Sequence, residues 1–156
     1  MTKTFRRVLA VALAGPIWYC NFVIFFVMSG AQAILASPEH QSEKMLANFF
    51  SIEPLPRMNF DEWLVLKAFV FCGGIMAGIF IFLDSRLKGT WLKRGLTIGV
   101  IFSLVMVPWF EFYLPYNVMN EPLSLIAFEF ILWNCVLVSN SLATAVILNY
   151  KRVSPE

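Results

Sequence analysis

Two ionisable residues, Lys67 and Glu129, fall inside stretches that are otherwise apolar enough to lie in lipid. A charge near the middle of a membrane helix costs about 2.5–3.5 kcal/mol even on insertion scales, so such a residue points to an ion pair, a titrating group or an ion path. Lys67 lies about one helical turn beyond Glu62 and Trp63, and Glu129 about two turns beyond Glu121, on helices running the same way. Their depths therefore match, and a Lys67–Glu129 pair inside the bundle is one reading. The other has Lys67 reaching out to the headgroups while Glu129 hydrogen-bonds to a neighbouring helix.

Amides and hydroxyls extend this polar set. At 100° per residue Asn140 and Thr144 fall within about 60° of Glu129, and Asn134 and Ser141 widen the same stripe. Asn21, on the first apolar run with Gln32 on nearly the same face, comes level with Asn134. Buried amides of this kind either fix helix register through interhelical hydrogen bonds or line a hydrated path. Lys67, Glu129, Asn21, Asn134 and Asn140 are thus the candidate intramembrane polar site.

Other chemistry finds little support. The single histidine, His40, excludes a bis-histidine haem, and its neighbours Glu39 and Glu43 read as a solvated loop. Cys20, Cys72 and Cys135 lie singly in apolar runs, without a CxxC pair. No HExxH, GxSxG, GxGxxG or Walker pattern occurs. No catalytic residue, metal ligand or cofactor is expected, and a net charge of +2 gives no reason to expect nucleic acid.

The elements that must carry these residues follow from composition. With 59% hydrophobic and 14% charged residues and a mean hydropathy of +0.71, the 156-residue chain is too apolar for a soluble domain. Four stretches, 8–35, 63–83, 95–114 and 123–148, reach the roughly 20 residues that a helix needs to cross about 30 Å of hydrocarbon. Continuous runs such as VIFFVM, without alternation, favour helices over barrel strands. The first run begins like a secretory signal and contains Ala31-Gln32-Ala33, but it exceeds a signal core in length and is expected to be retained.

Nine of the twelve basic residues cluster on one side: Lys3, Arg6 and Arg7; Arg86, Lys88, Lys93 and Arg94; Lys151 and Arg152. The positive-inside rule makes that side, with both termini and the 84–94 loop, cytoplasmic. Trp63, Trp109, Tyr113 and Tyr116 mark the opposite boundary as an aromatic belt. In the 36–62 outer loop, Met45, Phe49 and Ile52 share one face of a short amphipathic helix over Lys44–Ile52, ended by Glu53-Pro54-Leu55-Pro56.

Close packing between membrane helices falls to small residues, and Gly74 with Gly78 and Gly95 with Gly99 each repeat at four residues. Those pairs are candidates for helix packing or for a homodimer seam. The sequence thus reads as one all-α integral membrane domain over 1–156, an antiparallel four-helix bundle of a plasma or bacterial inner membrane. The leading functional expectation is a non-catalytic structural or accessory component, in contact with lipid and with a membrane-protein partner or a second copy. The alternative is a small solute or proton-coupled carrier using Glu129.

Overall fold

The computed structural model describes residues 2–50 and 62–149. Every regular element among them is helical, and four helices are long and apolar enough to cross a membrane: Lys3–Met28, Trp63–Asp84, Trp91–Val118 and Leu123–Asn149. The 53–56 breaker, Ile52 and the basic residues 151 and 152 lie outside the described residues.

α1 (Lys3–Phe22) starts where Thr2 accepts the Phe5 N–H at 3.2 Å. It runs through Pro16 and widens into a π-helical segment, Val23–Met28. The span then stops at Ser29-Gly30, short of the expected Leu35. Gly30 takes φ 78°, a left-handed conformation that glycine adopts without steric cost. The Ser29 hydroxyl donates to the Phe25 carbonyl at 2.5 Å and accepts the Ala31 N–H at 3.2 Å. Ala31–Leu35 is a separate short helix, α2.

α3 (Glu43–Phe50) follows, with Ser42 Oγ accepting the Met45 N–H at 3.1 Å. α4 covers Glu62–Asp84. α5 (Trp91–Glu111), capped by Thr90, continues as a π-helical segment, Phe112–Val118, past the expected end at Leu114. Pro115 lies inside that segment; it supplies no N–H and its ring crowds the carbonyl four residues back, which favours the wider turn. α6 spans Leu123–Asn149.

α1 packs against α4 on one side and α6 on the other, α5 packs against α6, and α4 makes thinner contacts with α5 and α6. The α1–α4 crossing is set by glycine. A Cβ on Gly73 would lie 2.5 Å from Gly15 Cα, and one on Gly15 would lie 2.4 Å from Val70 Cα, so the two backbones touch. At the α5–α6 seam a Cβ on Gly99 would lie 3.0 Å from Val138 Cα, and one on Gly95 would lie 3.1 Å from Ala145 Cβ.

Gly95 and Gly99 therefore pack as small residues, but against α6 and not against α4. Gly74 and Gly78 do not: Gly78 has open space around its Cα and Gly74 meets only Val11 Cγ1 at 3.9 Å. The inward face of α4 runs instead through Phe69, Gly73, Met76, Ala77 and Phe80.

The end where α1 begins is pinned by charge. Arg94 Nε donates to Asp84 Oδ1 at 2.6 Å, Nη1 to the Gly89 carbonyl at 2.9 Å and Nη2 to Asn149 Oδ1 at 3.0 Å, joining the ends of α4, α5 and α6. Arg6 Nη1 reaches the Leu148 carbonyl at 3.0 Å and ties in α1. Toward the other end Trp133 packs on Phe22 and Phe26, with ring centroids 5.8 and 4.8 Å away, while Trp18 meets Phe69 edge-on at 5.4 Å.

Candidate functional site: a buried glutamate cluster

Glu129 does not stand alone. One carboxylate oxygen from each of Glu111, Glu121 and Glu129 lies within 4.8 Å of the other two. Glu111 is 0% exposed and Glu121 2%, with Glu129 half-buried.

Three local features bring them together. On α5 the buried face repeats every four residues, Gly95, Gly99, Ser103, Val107 and Glu111, so Glu111 follows the seam against α6. The wide Phe112–Val118 turn then delivers a tight reversal in which Met119 N donates to the Leu114 carbonyl and Glu121 N to the Pro115 carbonyl, each at 3.0 Å, with Asn120 at φ 56°. That reversal turns Glu121 inward. Glu129 enters two turns into α6, on the side that continues through Leu132, Val136 and Asn140.

The connection between α2 and α3 closes over the cluster. Gln41, 8% exposed, donates its Nε2 to Glu121 Oε1 and also to the Leu35 carbonyl at 3.0 Å, while its Oε1 accepts the Ser42 N–H at 2.8 Å. Ser42 Oγ donates to the Met119 carbonyl at 2.6 Å. The turn that bears Glu121 is thus held by side chains from the preceding connection.

Both Glu111 oxygens and Glu121 Oε2 are buried without a well-formed hydrogen bond. Burial pushes the Glu121 carboxyl above the usual carboxylate range, and the Gln41 hydrogen bond offsets part of this. Three carboxylates this close cannot all carry charge unless protons or a cation are shared among them. An all-oxygen set of this span suits a hard divalent cation such as calcium, whose ligands lie about 2.3–2.6 Å away, so these residues are where a metal would be held.

Each glutamate also lines a different space. Glu121 borders a recess of about 340 Å³ with Tyr116, Asn117 and Asn120. Glu129 and Gln32 line a cavity of about 370 Å³ otherwise walled by Phe22, Phe26, Leu35, Ala36, Phe49 and Phe50. Glu111 faces an apolar cavity of about 180 Å³ with Trp18 and Trp133, where the Trp18 Nε1–H is also buried and unpartnered.

Of the polar residues singled out from sequence, the structure places Asn140 in the core, 3% exposed, with its Oδ1 unpartnered and its carbonyl accepting the Thr144 hydroxyl at 2.9 Å. Ser141 and Ser103, also buried, have unpartnered hydroxyls. Asn21 is half-buried with an unpartnered Nδ2. Asn134 turns back on its own helix, donating to the Phe130 carbonyl at 2.5 Å.

Lys67 is exposed and is not brought to Glu129; among the described residues the ion pair is Arg94–Asp84. The reason is rotation about α4. Its inward face passes through Gly73, one residue from Gly74, and that offset of about 100° carries Lys67 to the outside.

Glu111, Glu121 and Gln41 are the members that sequence reasoning missed. The signal for Glu111 was present, since extending Gly95, Gly99 and Ser103 by two more steps of four reaches it. Glu121 and Gln41 gave none, because their burial depends on the wide turn and on docking of a loop. No known protein family, curated protein or solved structure matches the chain.

Proposed function

We propose that the protein is a small proton-coupled carrier in which Glu111, Glu121 and Glu129 form the titrating centre. The observation that carries this reading is the convergence of three carboxyls, two of them fully buried with unpartnered oxygens, each lining a different space. A purely structural bundle gains nothing from such an arrangement, because each buried acceptor left unpaired costs about 1–3 kcal/mol. Membrane proteins keep ionisable groups at depth where they bind or pass charge.

In this reading the basic end, with both termini, faces the cytoplasm of a plasma or bacterial inner membrane, and the glutamates take protons from the outer side through the Glu121 recess. Glu129 exposes the centre to the larger cavity, where a solute would bind beside Gln32 and aromatic walls. Glu111 holds the innermost of the shared protons, beside the apolar cavity that it lines with Trp18 and Trp133. α3 lies along the outer surface as an amphipathic cover.

The test is proton entry into pyranine-loaded proteoliposomes under an imposed potassium diffusion potential, alone and with sodium, calcium, manganese or ammonium outside. Wild type should acidify the lumen faster than empty vesicles, and Glu129→Gln and Glu111→Gln should fall to the empty-vesicle rate. Equal rates for all three proteins would remove the carrier reading.

An accessory role keeps one observation of its own. Lys67, Phe71 and Gly78 are exposed on one side of α4 with half-buried Gly74, a face that among the described residues is met only at its edge, by Val11 of α1. A second membrane helix bearing an acid would fit there, and crosslinking from a cysteine at position 71 would report it.

A further inference from the structure

At the opposite end of the bundle from the glutamates, a cavity of about 270 Å³ opens among the first turn of α1 and the last turns of α4 and α6. Four cationic side chains line it, Lys3, Arg6, Arg7 and Arg94, against one carboxylate, Asp84. Asp84 is already engaged by Arg94, and the Leu148 carbonyl at the close of α6 is already met by Arg6. The negative groups described at this site are therefore satisfied, while the buried Arg6 Nε–H has no partner among the described residues. Among the described residues Lys3 and Arg7 have no anionic partner either. The start of α1 adds the positive end of a helix dipole to the same wall.

Basic residues at this end serve topology whether or not they converge. Topology does not require three of them, from one helix turn, to share a walled space with an arginine from another helix. We infer that this cavity binds a phosphate-bearing anion, supplied by the headgroup of an anionic membrane lipid. Its position at the end of the spans sets it level with headgroups, and its volume holds a phosphate with a short polar substituent while the acyl chains stay in the bilayer. Guanidinium groups supply the paired donors that phosphate oxygens accept. Such a headgroup would link α1 to the Arg94–Asp84–Asn149 knot that joins the other helices.

The experiment uses the full chain in nanodiscs of phosphatidylcholine carrying trace spin-labelled phosphatidylglycerol, with spin-labelled phosphatidylcholine for comparison and inorganic phosphate as the soluble competitor. Wild type should immobilise the anionic label selectively. Arg6→Gln should weaken this by about fivefold, as expected for one charge near the surface, and Lys3→Gln with Arg7→Gln, which disturbs no described side-chain bond, by more.

Lys88→Gln with Lys93→Gln removes equal charge from residues that do not line the cavity and should leave most of the selectivity. An equal loss from that control would show diffuse surface attraction and overturn the site. So would immobilisation of both labels alike. Displacement of the label by millimolar phosphate at constant ionic strength would keep the anion chemistry but overturn the lipid as its source.

Discussion

Glu111→Met should stabilise the protein while disabling it. Glu111 is 0% exposed, and neither carboxyl oxygen meets full hydrogen-bond geometry, with the Glu129 carboxyl and Trp133 its polar neighbours. Methionine has nearly the same length, fills irregular apolar space, and would face Trp18, Trp133 and Leu137 across the cavity. Removing a buried unpaired acceptor recovers about 1–3 kcal/mol, which is about a five- to 150-fold shift of the unfolding equilibrium. Reversible unfolding in mixed micelles, titrated with denaturing detergent and read by tryptophan fluorescence, measures it. The same variant should lose proton entry in the vesicle assay. A destabilisation of about 1 kcal/mol or more would refute the reasoning, because it would mean that the carboxylate is anchored by a bound cation or by bonds that the free site lacks.

Two other perturbations discriminate parts of the account. Gly73→Val should prevent stable assembly, since its Cβ would lie 2.5 Å from Gly15 Cα, whereas Gly78→Val should leave the melting temperature unchanged because no described residue lies within 4 Å of the added atom; size-exclusion profiles and melting curves read both. Stability should also fall as pH rises. The Glu121 carboxyl is held above its ordinary 4.5 by burial, so the folded state binds the proton more tightly than the unfolded chain. That contribution is complete below 4.5 and is lost as pH climbs through the raised value. Melting curves of wild type should show the decline and Glu121→Gln should flatten it.

The spans were legible because long apolar runs have few ways to exist except as membrane helices, and the structure has four helices long and apolar enough for that. Two of the shifted bounds were decided by backbone geometry, while the starts expected at 8 and 95 lie earlier, at Lys3 and Trp91, in basic first turns that hydropathy leaves out. Ser29-Gly30 breaks the first run through a left-handed glycine, and Pro115 extends the third through a π turn, neither of which hydropathy registers. Helical character was readable along each run, but rotation about the helix axis was not. Lys67, Gly74 and Gly78 share one face of α4, so the reading that paired Lys67 with Glu129 needed that face inward, whereas the structure packs the Gly73 face and leaves Lys67 outside, as the other reading has it. Where packing is dense the stripe was reliable, as at Gly95 and Gly99, and following it to Glu111 would have found the centre of the site. Glu121 depended on a loop 80 residues away in sequence, through Gln41, and no local pattern carries that information.

The central claim is that three carboxyls share exchangeable protons. Difference infrared spectra of the protein in bilayers, recorded across a pH titration, read the protonated carboxyl band directly. The account predicts a band that grows and shrinks with bulk pH, and that changes in shape and midpoint in each of Glu111→Gln, Glu121→Gln and Glu129→Gln because the three titrate as one unit. A carboxyl band indifferent to pH, or one whose titration is untouched by all three substitutions, would contradict it.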